Sequence, residues 1–179
     1  MKFDTIADIY SANRSVRERL AGVLATIKTD EATATPDSES WSIQQIVEHL
    51  TMVEFGTARI CTKLLNEAKQ DGKLSNGRIE LSALFAERSE QVSTQRLEAP
   101  DRVHPTGDVS LMEAFERMDA NKKLFDDMRP DLERYDLSAH KFPHPYFGDI
   151  TAAEWLAILG GHELRHTKQI EKLLEKIRK

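Results

Sequence analysis

The chain has one cysteine, Cys61, among 179 residues, so it cannot form an internal disulfide. No stretch approaches the roughly 18 to 20 uncharged apolar residues that a membrane-spanning helix requires. The first twenty residues, MKFDTIADIYSANRSVRERL, lack an apolar signal core, because Asp4, Asp8, Arg14 and Arg17 interrupt it. A reducing cytoplasm is therefore the expected location. Glycine (8) and proline (6) are scarce. A surplus of positive charge is also missing: the net charge is −5 and the sequence pI about 5.7, which gives nucleic-acid binding no global electrostatic support. The small basic excess at Lys168, Lys172, Lys176, Arg178 and Lys179 suits a helix C-terminus. No segment alternates convincingly as a strand, and there is no internal repeat or low-complexity tract.

What is present points to helices. Apolar residues make up 40% and charged residues 31%, a composition expected of a soluble, mostly helical globule with one core and one domain over residues 1–179. Three helix starts carry a capping-box pattern: Ser42 to Gln45, Ser110 to Glu113, and Thr151 to Glu154. Trp41 with Ile46, and Ile150 with Trp155, can close hydrophobic staples across two of them. The periodicity predicts long helices over about 3–28, 42–70, 110–129 (stopped by Pro130) and 151–178. Their buried stripes include Ile9, Leu20 and Leu24 in the first; Ile46, Leu50 and Leu64 in the second; Phe115, Met118, Leu124 and Phe125 in the third; and Trp155, Leu159, Ile170 and Leu173 in the fourth. Residues 29–41 are expected to form a polar loop. The 71–109 connection has a weak helical pattern at 80–95 and is long enough to cross the bundle, so that the second and third helices run parallel.

The histidines are the main functional signal. His162 and His166 stand four apart and fall on the apolar seam of the last helix, while His49 lies between Ile46 and Val53 on the inward face of the second. Burying three imidazoles costs free energy unless each finds a partner. One divalent metal would satisfy all three, and three neutral histidines with one or two positions left open is the layout of a catalytic metal site. The segment 162–166 also reads as H-E-x-x-H, in which Glu163 would be the general base of a zinc peptidase. Gln169 and Lys172 occupy the positions where the extended motif needs Gly and His, no downstream helix can supply a glutamate ligand, and no strand is available to align a peptide. A peptidase is the less favoured assignment.

Two segments, WSIQQIVEHL at 41–50 and HPYFGDITAAEWLAILGGHELRHTKQI at 144–170, resemble the DinB-like superfamily of metal-binding four-helix bundles, which includes YfiT-type hydrolases and bacillithiol and mycothiol S-transferases. The resemblance implies an all-α four-helix bundle with a long crossover between the second and third helices. It also implies antiparallel contact of the second and fourth helices, and Zn²⁺ or Ni²⁺ held by His49, His162 and His166. The ion would activate either a water for hydrolysis or a low-molecular-weight thiol for transfer.

Other residues have roles open at this point. Glu163 could accept a proton beside the metal, although its position, one residue past a ligand, favours solvent. Glu48 and Glu54 could orient ligands, although exposed charge is the default for a helix. Arg59, Lys63 and Arg165 are candidates to bind the thiol cofactor. His144, between two prolines, is expected to be a rigid turn element, and His104 and His140 to be loop residues. Phe142, Tyr146 and Phe147 are expected to plug the bundle end, and Cys61 to act as a small buried hydrophobe. A non-catalytic metal-binding or interaction module would share the same triad. The small-molecule substrate is not specified by the sequence, and a homodimer through a helix face is plausible.

Overall fold

A computed structural model describes residues 3–36, 40–95 and 97–179. The described residues form six α-helices: α1 (Ile6–Leu24), α2 (Thr29–Thr33), α3 (Ile43–Asp71), α4 (Ala83–Thr94), α5 (Leu111–Arg134) and α6 (Ala152–Ile177). A 3₁₀ turn spans Asp101–Val103, and strands β1 (Lys141–His144) and β2 (Gly148–Thr151) pair antiparallel. No helix among the described residues is long and apolar enough to cross a membrane.

The long helices α1, α3, α5 and α6 form a four-helix bundle whose directions can be read from side-chain contacts. Asn13 Nδ2 donates to the Leu156 carbonyl at 3.0 Å and Arg19 pairs with Glu171 at 2.8 Å, so α1 and α6 run parallel. Asn121 Nδ2 reaches the Thr51 carbonyl at 2.9 Å and Lys69 reaches Asp131 at 2.5 Å, so α3 and α5 also run parallel. His49 meets His162 while Cys61, farther along α3, meets the Ala152 carbonyl, so α3 and α6 are antiparallel. The 71–109 crossover makes this up-down-down-up order possible.

Two apolar clusters fill the bundle. One gathers Ile9, Cys61, Leu64, Phe125, Leu132, Phe147 and Trp155. The other gathers Leu20, Ile43, Ile46, Leu50, Met118 and Ile170. Between them each long helix contributes a polar residue: Arg17, Glu54, Asn121 and Glu163. These residues bond one another across the interior. The bundle is therefore cut by a polar layer, at the level where the histidines meet.

Several sequence expectations need correction. The hairpin replaces an expected loop; its strands have four residues each and Pro143 sits in one of them, too short and too interrupted to show alternation. Residues 29–33 form a helical turn within the expected loop, of which 37–39 lie outside the described residues. Pro130 does not end α5, which continues to Arg134; packing of Leu132, 1% exposed, holds the last turn in place. Phe115 and Leu124 are exposed, and Ala114 and Asn121 occupy the buried face instead. The expected core roles of Cys61 and Phe147 agree with their burial.

Candidate metal centre

α3 begins at Ser42, whose hydroxyl accepts the Gln45 N–H while the Gln45 amide oxygen accepts the Ser42 N–H. This capping box fixes the first turn and places His49 on the inner face, 3% exposed. α6 begins with the equivalent box, Thr151 and Glu154. Its i, i+4 spacing puts the rings of His162 and His166 side by side, with centroids 4.5 Å apart.

The three imidazoles converge. His162 Nε2 lies 3.2 Å from His49 Nε2 and 3.2 Å from His166 Nε2, and one nitrogen from each ring falls within 4.8 Å of the others. The far nitrogens are engaged on two of the rings. His49 Nδ1–H donates to the Val103 carbonyl at 2.7 Å, and His166 Nδ1–H donates to Gln169 Oε1 at 2.8 Å. Both bonds leave Nε2 as a free lone pair aimed at the cluster. Burial depresses the basicity of all three rings. It holds His49 below and His162 well below the ordinary value and pushes His166 down to about 4, with the neighbouring imidazoles adding to the effect on His162 and His166.

Neutral nitrogens facing one another repel unless a cation or a shared proton lies between them. Bonds of about 2.0–2.1 Å in a tetrahedral sphere separate ligand nitrogens by about 3.3 Å, close to the spacing here. His162 Nδ1 is buried and has no hydrogen-bond partner among the described residues, so that ring lacks the Nδ1 partner that orients the other two. The donor set and its spacing fit a divalent ion.

The surrounding charges differ from expectation. Glu163, Glu54 and Glu48 are all buried rather than solvent-facing, at 4%, 2% and 2% exposure. Arg17 on α1 grips Glu163 with two bonds, Nε to Oε1 at 2.8 Å and Nη2 to Oε2 at 2.7 Å, and also pairs with Glu54. Burial raises the Glu163 pKa, and Arg17 opposes that rise. Glu48 accepts from the Thr106 N–H and hydroxyl, each at 3.0 Å, and from the Gly107 N–H at 2.8 Å. Arg17 was missed in the sequence because it sits in the charged run RSVRERL. The available signal was its place on the buried stripe, between Ile9 and Leu20.

Of the cations considered for a thiol cofactor only Arg165 stands near the cluster, close enough for its charge to help lower the pKa of His162 and His166. Arg59 lies over the exposed Phe55 ring, Lys63 pairs with Glu67, and Arg165 donates to the Val92 and Gln95 carbonyls. Trp41 does more than staple its helix, since its ring packs tilted against His49 and edge-on against His104, with centroids 5.1 and 5.2 Å away. His144 ends β1 rather than forming a turn. Its Nδ1 accepts the Tyr146 N–H at 3.1 Å and its ring packs on Trp155. His140 binds Asp71 at 2.7 Å, away from the cluster.

Comparison with known proteins agrees with this architecture. The chain is 26% identical over 155 residues to the uncharacterized protein YuaE of Bacillus subtilis (strain 168), covering 86% of this chain and 90% of that one. Its fold matches the crystal structure of TT2238, a four-helix bundle protein, with a TM-score of 0.64 at 19% identity, covering 94% of this chain and 99% of the other. The profile of the DinB superfamily, a group associated with metal binding, matches residues 12–170. By that match the chain belongs to the DinB superfamily.

Proposed function

We propose that His49, His162 and His166 hold one divalent ion, Zn²⁺ or Ni²⁺, and that the protein is a metal-dependent enzyme acting on a small molecule. The observation that carries this proposal is the convergence of the three imidazoles, with His162 Nε2 standing 3.2 Å from Nε2 of both His49 and His166, and with those two rings oriented by bonds from their Nδ1–H groups. When bound, the ion would supply Lewis acidity towards a water or a thiol. The chain's own contribution is to keep the three rings neutral, to orient His49 through Val103 and His166 through Gln169, and to exclude bulk water with Trp41 and the crossover.

Glu163 fits a positioning role better than that of a base. Both its oxygens are bonded to Arg17, and it stands in the polar layer joining α6 to α1 and α3. The H-E-x-x-H peptidase assignment loses support accordingly. Water activation, and hence hydrolysis, is the preferred chemistry, because Arg59 and Lys63 are engaged elsewhere and the guanidinium of Arg165, although near the cluster, donates to the Val92 and Gln95 carbonyls. One observation favours the thiol alternative: Arg102, exposed beside Val103, has no ion pair among the described residues.

Metal-free protein should take up one equivalent of Zn²⁺ or Ni²⁺ in equilibrium dialysis, and His162→Ala should abolish uptake. The loaded protein is then assayed on generic esters and amides, and for transfer of a small thiol. Ester or amide turnover lost in His162→Ala supports the hydrolase. Thiol transfer alone selects the second chemistry. Stoichiometric uptake with no turnover favours a binding module, and failure to take up either ion rejects the site.

A further inference from the structure

Residues 97–107 of the crossover lie against the histidine cluster and are tied down at several points. The Val103 carbonyl receives His49 Nδ1–H at 2.7 Å. The Glu98 carbonyl receives the Tyr146 hydroxyl at 2.8 Å. The Gly107 carbonyl receives Gln44 Nε2 at 2.8 Å. The tightest knot is Glu48, whose carboxylate collects three donors from Thr106 and Gly107. No basic side chain pairs with Glu48 among the described residues, so this buried anion is satisfied by two backbone N–H groups and one hydroxyl. Gly107 adopts φ +83, which points its N–H at Glu48 and its carbonyl at Gln44. A side chain there would be strained by that φ, and its Cβ would crowd Gln45 Nε2 at 3.4 Å.

Glu48 precedes His49 in sequence, and Val103 precedes Thr106 by three residues. The carboxylate therefore fixes the end of the segment whose carbonyl fixes the imidazole. We infer that Glu48 is a positioning residue of the three-histidine site: it clamps Thr106 and Gly107 so that the Val103 carbonyl stays on His49 Nδ1–H and Nε2 stays aimed at His162. The clamp acts on His49 through the backbone and touches neither ion nor substrate. Its consequence for metal affinity rests on the metal-site proposal above, whereas its consequence for the His49 ring does not.

Two variants loosen the clamp by independent routes. Glu48→Gln keeps the shape but replaces one acceptor with an amide N–H that faces donors. Gly107→Ala leaves Glu48 intact and strains its partner. In metal-free protein, ¹H–¹⁵N spectra of the histidine rings should show wild-type His49 as the Nδ1–H tautomer. Both variants should give a mixed or inverted tautomer, with hydrogen exchange accelerated at least about tenfold in 97–107 and unchanged in α1. Zn²⁺ affinity measured by chelator competition should fall about 10- to 100-fold in both, as is usual when a partner orienting a ligand is lost. A wild-type tautomer in both variants overturns the inference. So does an unchanged Zn²⁺ affinity in variants whose tautomer has shifted. If the wild type binds no metal, the metal-site proposal fails, and the tautomer and exchange data still decide the role of Glu48.

Discussion

His144 stands at the end of β1 with its ring against Trp155, Phe147 and Tyr146. Burial, helped by the nearby charge of Arg102, lowers its pKa from 6.5 to about 4. In the unfolded chain the ring regains its ordinary value, so between these pH values the unfolded state binds more protons. The stability contributed by keeping His144 neutral is complete above the unfolded value and is lost as pH falls from 6.5 through 4. Metal-free protein should therefore weaken in acid, and His144→Gln should reduce the loss between pH 7 and pH 4.5 by about 2 kcal/mol, read from urea denaturation at the two pH values. At this scale the triad was legible because i, i+4 spacing and an inward stripe are properties of single helices. The burial of Glu48 was not, because its partners are two backbone N–H groups and one hydroxyl some sixty positions away, and no local pattern announces them.

Helix starts were the most readable elements, and the structure ranks them. Ser42 and Thr151 each head a complete capping box, whereas at Ser110 only the hydroxyl half forms, and Glu113 turns instead to Arg117. Glu154 does more than cap: it is 1% exposed and accepts from Thr151 and also from the Ser82 N–H and hydroxyl, at 2.8 and 2.6 Å, tying the start of α4 to the start of α6. Ser110→Ala should cost about 1 kcal/mol as the loss of one cap. Glu154→Ala should cost about 3 kcal/mol or more, because several buried donors lose their acceptor together. Denaturant midpoints of the two variants check the order. The hairpin and the last turn of α5 escaped the sequence for a related reason: both are held by tertiary contacts, β2 through Ile150 and α5 through Leu132, rather than by local preference.

Across the whole molecule, Arg17 connects α1, α3 and α6 through two carboxylates on different helices. Removing one member of a buried ionic group strands the others, so Arg17→Met should destabilise the fold by about 3–5 kcal/mol. Replacing all three together, Arg17→Met with Glu54→Leu and Glu163→Leu, should recover most of that loss, as apolar substitutes of similar volume do elsewhere. Calorimetry of the single and triple variants tests this; a triple variant weaker than the single one would contradict it. The bundle and its crossover were legible from helix count and connection lengths, but the layer was not, since each of its residues looks like an ordinary polar surface residue until four helices are assembled. The parallel seam between α1 and α6 joins the first and last elements in chain order. During synthesis α1 therefore emerges long before its partner exists, and two of the three imidazoles arrive last. The three-imidazole cluster is therefore complete only after translation has passed residue 166, and an ion held there as proposed would be taken up by the finished chain rather than by a nascent one.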